Sequence, residues 1–239
     1  MAARILLVTA TRVEALAVLA DLPAAATVAL GPVPGQQVQT PAGLFTVIVG
    51  GVGPMAAAAT TAATLAHVPV DLVLCVGIAG GFGTELTAGD LVVADSMVPA
   101  DLGVETVAGY LGPETFGAAV AFYPPAGLAE EIADRLRDAG LAASVGPVLT
   151  VATVTGTAAR AGLLTDRHHG LAEAMEGAGV GQAAALYGCP AAELRAVSNL
   201  VGARDRAGWR ISAALGALGA ATAALAAAPL EALAPAAAP

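Results

Sequence analysis

Three polar side chains stand where chemistry can be done: Glu14, Glu176 and Asn199. A carboxylate and an amide brought to one edge of a sheet can hold a sugar diol and a heterocycle. A second carboxylate can act as general base on a water. Each also has a plainer reading. Glu14 falls in the first turn of a helix, where a negative charge is favoured by the helix dipole. Glu176 can be a solvated carboxylate at a helix start, and Asn199 an ordinary cap at the end of a strand. All three fall at the carboxyl ends of strands or at the adjoining helix starts, and that shared placement favours a common site.

The elements that must position them follow from the apolar pattern. Strands are expected over 4–10, 44–50, 71–78, 90–98, 148–154 and 194–198, and helices over 11–22, 54–66, 128–139, 158–168, 175–187 and 209–228. Residues 23–35 read as a break, and 101–125, with glycines, prolines and no clear period, as a long loop. Strands alternating with helices predict an α/β fold: a single three-layer domain with a mostly parallel mixed sheet flanked by helices. Residues 1–230 form that domain, and 231–239 form an Ala/Pro-rich tail.

Composition excludes several classes. The chain has 239 residues, is 57% hydrophobic and only 12% charged, and carries a net charge of −9. Nucleic-acid binding needs a positive face, so none is expected. Cys75 and Cys189 sit in or beside apolar runs and read as buried thiols of a reducing cytoplasm. With His67, His168 and His169 scattered, no metal site is expected. The uncharged segment 211–230 is mostly alanine and glycine, which insert weakly into a bilayer, so it reads as a packed helix. The apolar start is too short for a secretion signal, and the protein is expected to be cytoplasmic. The glycine cluster at 77–83 fails the spacing of a dinucleotide loop. Glycine there lets backbone come close to a flat ligand. No cofactor is expected.

The order of these features resembles the purine nucleoside phosphorylase and nucleosidase superfamily over nearly the whole chain, and is similar to that of the methylthioadenosine/adenosylhomocysteine nucleosidases. Glu14 matches their water-activating glutamate. Gly77-Ile78-Ala79-Gly80-Gly81 matches their Gly-Ser-Ala-Gly-Gly loop, Met175-Glu176 the Met-Glu pair under the ribose, and Ser198-Asn199 their Ser-Asp. The resemblance implies that Glu176 grips the ribose hydroxyls, that Asn199 assists the leaving base, and that Thr155 meets the base through its backbone. It also implies a homodimer or larger oligomer, because related five-prime pockets borrow a loop from a neighbouring subunit.

Three departures narrow the substrate. Asn199 replaces an aspartate, and an amide can donate to a six-oxo group while its carbonyl accepts from a protonated N7. Ile78 replaces a serine that helps hold phosphate in the phosphorylases, which favours water as nucleophile. Val154 replaces an aromatic that stacks on the purine. The pieces 100–105 and 198–205, with Trp209, resemble the futalosine hydrolases, a group acting on a hypoxanthine nucleoside in a route to menaquinone. That implies an apolar pocket for a carboxyphenyl ketone, lined by Tyr110, Phe116 and Phe122, with Arg204 or Arg210 meeting its carboxylate. An inosine-type phosphorylase, a broad purine nucleosidase and a non-catalytic nucleoside-binding module remain as alternatives.

Overall fold

The structure of the protein, a computed structural model, describes residues 2–203 and 206–233. The chain order is β1 (Ala3–Thr9), α1 (Arg12–Leu19), β2 (Ala26–Leu30), β3 (Val33–Thr40), β4 (Gly43–Val49), α2 (Pro54–Leu65), β5 (Leu72–Gly81), β6 (Leu91–Pro99), β7 (Val104–Thr106), β8 (Gly109–Leu111), α3 (Leu128–Asp138), β9 (Ala143–Thr150), α4 (Ala158–His168), β10 (Ala172–Ala174), α5 (Gly177–Leu186), β11 (Ala191–Leu200) and α6 (Ile211–Ala226).

Nine of these strands form one mixed sheet in the order β10-β9-β6-β11-β5-β1-β4-β3-β2. Its centre, from β4 through β1 and β5 to β11, is parallel. Because successive side chains of a strand point to opposite faces, Ile5, Leu7, Leu72 and Leu74 pack against α1, α3 and α6. Leu6, Val8, Val73 and Cys75 pack against α2 and α5. The result is the expected single α/β domain of three layers. Each fully buried leucine of these strands contributes about 1.5–3 kcal/mol.

The sheet also closes on itself. β10 pairs with β9 and, antiparallel, with β5, so β5, β11, β6, β9 and β10 form a ring. β10 is three residues long and too short to read from periodicity. It displaces the expected helix start from Met175 to Gly177, which leaves Glu176 at the N-cap of α5.

Other differences have local causes. Residues 23–35 hold β2 and the start of β3 instead of a break. These strands lie at the sheet edge, where β2 is largely exposed and β3 contains Pro34 and Gly35, so neither gives a continuous apolar run. The 101–125 stretch holds the β7–β8 hairpin and a 3-10 turn at Pro113–Phe116. β9 runs Ala143–Thr150 rather than over 148–154, so residues 151–157 lie outside the strand. β11 begins three residues earlier than expected and takes Glu193 into the sheet.

Among the described residues no helix is long and apolar enough to cross a membrane, and no cluster of groups fit to hold a metal is present. At the far end, the amides of Glu231 and Ala232 donate to the Glu131 carboxylate of α3. Residues 234–239 of the expected tail lie outside the described residues.

Candidate active site

A cavity of about 390 Å³ opens beyond the carboxyl ends of β1, β5 and β11, where parallel sheets place ligands. Glu14, Ile78, Ala79, Gly80, Val154, Thr155, Met175, Glu176 and Asn199 all line it. Arg204 lies outside the described residues.

Glu14 is held in a capping box at the start of α1. Thr11 donates its amide and its hydroxyl to Oε2, both at 2.9 Å, and the Ile78 amide donates to Oε1 at 3.0 Å. The carboxylate is 5% exposed, so its two oxygens are fixed before any ligand arrives. Residues 77–81, expected as a loop, are the end of β5, and an amide of that strand serves Glu14.

Glu176 is fixed from three sides. Gly53, at φ +92° at the N-cap of α2, donates its amide to Oε1 at 3.1 Å, and the Met175 amide donates to Oε2 at 3.3 Å. Close packing of α5 on α2 brings Gly53 within reach: a Cβ at Gly179 would sit 2.2 Å from the Pro54 carbonyl. The third partner is Arg195, whose Nη1 lies 3.1 Å from Glu176 Oε2.

Arg195 and Glu193 are functional candidates that the expected strand over 194–198 passed over. The signal is present: two charges at i and i+2 inside an apolar strand of a sheet covered on both faces must be paired, because an unpaired buried charge is very costly. Arg195 is 1% exposed and Glu193 0%. The guanidinium Nε donates to Glu193 Oε1 at 2.7 Å. Burial opposes charge on Arg195, but the neighbouring carboxylates of Glu193, Glu176 and Glu14 outweigh it and hold the guanidinium protonated. Burial raises the Glu193 carboxyl above its usual range against the opposing pull of Arg195. Burial also drives the Cys75 thiol well up, so it stays neutral and takes a contact from Arg195 Nη2 at 3.1 Å.

Gly77 is what lets these groups meet. A Cβ there would lie 2.5 Å from Arg195 Nη1 and 2.7 Å from Glu14 Oε1. Arg195 and Glu14 thus face each other across a residue without a side chain. One buried cation adjoins both carboxylates of the site.

Asn199 sits just past a β-bulge. Val197 pairs with Ala79 and Asn199 with Gly80, so Ser198 is the extra residue. The Ser198 hydroxyl lies 2.8 Å from Asn199 Oδ1, and Asn199 Nδ2 donates to the Leu200 carbonyl at 3.0 Å. Reversing the amide would set Oδ1 against that carbonyl. Its orientation is therefore fixed, with one N–H and one lone pair still open.

The remaining expectations are met unevenly by the geometry. Val154 is 43% exposed at the cavity wall. The Thr155 amide donates to Glu173 Oε1 at 2.8 Å and its hydroxyl to Glu173 Oε2, which leaves only its carbonyl for a base. Tyr110, Phe116 and Phe122 do not line the main cavity, contrary to expectation. Tyr110 packs under Arg167 in a separate cavity, Phe122 packs over Gly181, and Phe116 is 52% exposed. The 101–125 stretch is paired with itself in the β7–β8 hairpin and, at Phe122, with Met97 of β6. Arg210 directs Nη1 to the Ala207 carbonyl at 3.0 Å. Trp209, Ile211 and Leu215 supply apolar wall in their place.

A three-layer sheet with this strand-end site is the architecture of a nucleoside-processing superfamily, and the chain belongs to it: the phosphorylase superfamily model matches residues 4–234. Among relatives, a futalosine hydrolase of Streptomyces coelicolor is 50% identical over 202 residues, covering 78% of this chain and 83% of that protein. A second futalosine hydrolase, from Acidothermus cellulolyticus, is 47% identical over 186 residues, covering 76% and 75%. The solved futalosine hydrolase of Helicobacter pylori superposes with a TM-score of 0.80 at 20% identity over 94% of this chain and 96% of that one, which is a likeness of fold.

Proposed function

We propose that this protein hydrolyses the N-glycosidic bond of futalosine, releasing hypoxanthine and dehypoxanthine futalosine, as a step of the futalosine route to menaquinone. The observation that carries the reading is the fixed Asn199 amide, which presents a donor and an acceptor side by side. That pair matches the O6 and the protonated N7 of a departing 6-oxopurine. The two futalosine hydrolases described above, at 50% and 47% identity, support the same substrate.

Cleavage builds positive charge on the sugar, so the site must stabilise a cation, help the base leave and deliver water. Glu176 grips the 2′ and 3′ hydroxyls and offers negative charge beneath the ring. Glu14, with both oxygens held, orients and deprotonates the water. Asn199 stabilises the N7-protonated base. Ile78 supplies an apolar side chain and an amide already donated to Glu14, an arrangement poor for phosphate. The apolar wall of Trp209, Ile211 and Leu215 suits the carboxyphenyl ketone.

A homodimer or larger assembly is supported by the exposed Leu102, Val107, Leu111, Phe116 and Val120 of the 101–125 stretch. Two free cysteines suit the cytoplasm.

Incubation with futalosine in phosphate-free buffer, with product analysis, tests the reading. Hypoxanthine is expected at a rate unchanged by added phosphate. Bound futalosine without product would make the chain a binding module, and a strict phosphate requirement would make it a phosphorylase.

A further inference from the structure

Glu193 is a buried carboxylate to which the roles above give no task. It is 0% exposed. It pairs with Cys75 of β5, and two residues further on Arg195 pairs with Gly77, so all four share one face of the sheet. Glu193 Oε1 accepts from Arg195 Nε at 2.7 Å, and Oε2 takes no hydrogen bond among the described residues. Gly177, the first residue of α5, makes the room: a Cβ there would lie 2.0 Å from Glu193 Oε2. Burying a carboxylate with one oxygen unbonded lowers stability, so packing alone does not account for a glutamate here.

The guanidinium gives the reason. Arg195 turns Nε to Glu193, Nη2 to Cys75 Sγ and Nη1 to Glu176 Oε2. A planar fork anchored at Nε has little freedom to rotate. Nη1 therefore stays beside Glu176 and faces Glu14 across Gly77. Charge is shared as well as place. Glu193 and Glu176 adjoin one cation, and the more of its charge Glu193 holds, the more negative charge Glu176 keeps for the sugar.

We infer that Glu193 is a positioning residue for glycosidic cleavage: through Arg195 it sets the place of Nη1 and the share of positive charge that reaches Glu176. The inference rests on the nucleosidase reading above and deepens it. Few ionisable groups face the Glu193–Arg195 pair. They are Cys75 of β5, Glu176 at the N-cap of α5 and Glu14 of α1. On the other side β6 sets Val93 and Val92 opposite Leu194 and Arg195, and its Asp95 is exposed. Helices α2 and α5 carry no ionisable side chain. Burial lifts the Glu193 carboxyl above its usual range, and Arg195 opposes the lift. As pH falls, Glu193 takes a proton earlier than an ordinary glutamate, and the pull of Arg195 passes to Glu176.

The pH dependence of kcat on futalosine separates this role from a structural one. Glu193→Gln keeps an acceptor for Nε and stands for the protonated acid at every pH. Its kcat at neutral pH is expected to fall about tenfold or more. Its acid limb is expected at lower pH by about one unit, because the group that titrates there is gone. Glu193→Asp keeps the charge but draws it back from Nε. Arg195 then opposes burial less, and the limb is expected to move to higher pH. The opposite directions make either variant decisive should the other not fold. A wild-type kcat, or a lower kcat with the acid limb where wild type has it, would overturn the inference. Wild type that releases no hypoxanthine from futalosine would instead refute the proposed function, a separate result.

Discussion

Arg195 Nη1 lies 3.1 Å from Glu176 Oε2, and the same guanidinium holds Glu193 through Nε at 2.7 Å. With 1% of its side chain exposed, Arg195 is the buried counter-charge of the carboxylate expected to hold the ribose. Removing it strands Glu193 and Glu176 without a cation. Arg195→Met is expected to lower unfolding stability by about 3–5 kcal/mol, read from urea denaturation. A loss under about 1 kcal/mol would show that the two carboxylates tolerate burial unpaired.

Gly77 separates Arg195 from Glu14. Gly77→Ala places a methyl within 2.5 Å of Arg195 Nη1 and 2.7 Å of Glu14 Oε1. Both groups must shift, and misplacement by about 1 Å is expected to lower kcat by about a hundredfold. Steady-state kinetics on the folded variant check this. An unchanged kcat would mean that neither group needs its present position.

Glu14 accepts from Thr11 and Ile78, and glutamine also completes a capping box. Glu14→Gln keeps an acceptor for Thr11 but turns an N–H toward the Ile78 amide, so it should cost about 1–3 kcal/mol of stability while lowering kcat by about 10²- to 10⁴-fold. Circular dichroism melts and initial rates measure the two effects side by side. Near-normal turnover would remove Glu14 from the general-base role.

Asn199→Asp keeps the acceptor for the Ser198 hydroxyl but deletes the N–H that faces Leu200 and the base. The kcat/KM ratio of futalosine to its 6-amino analogue is expected to fall at least about tenfold. Competition assays give that ratio directly, and an unchanged ratio would sink the donor argument for residue 199.

The central strands and their helices were legible because continuous apolar runs specify strands buried on both faces, as at Leu72–Gly81. Glu14, Glu176 and Asn199 were legible because each stands at a strand end or helix start. The pieces that escaped are those whose identity depends on closure. β10 has three residues and exists through its pairing with β5 and β9, so no periodicity marks it. The Glu193–Arg195 pair was hidden by a strand boundary placed one residue too late to include Glu193. Tyr110, Phe116 and Phe122 were drawn to the pocket by their aromatic character, although local pairing of the hairpin carries their segment elsewhere.

The central claim is hydrolysis of a 6-oxopurine nucleoside with water as the nucleophile. The most direct measurement is kcat/KM for futalosine and for methylthioadenosine, side by side in phosphate-free buffer. The account predicts hypoxanthine release from futalosine at a kcat/KM higher by at least about a thousandfold, since rejection across mismatched hydrogen-bonding edges reaches that range. Methylthioadenosine cleaved as well as futalosine, or no turnover until phosphate is added, would contradict it.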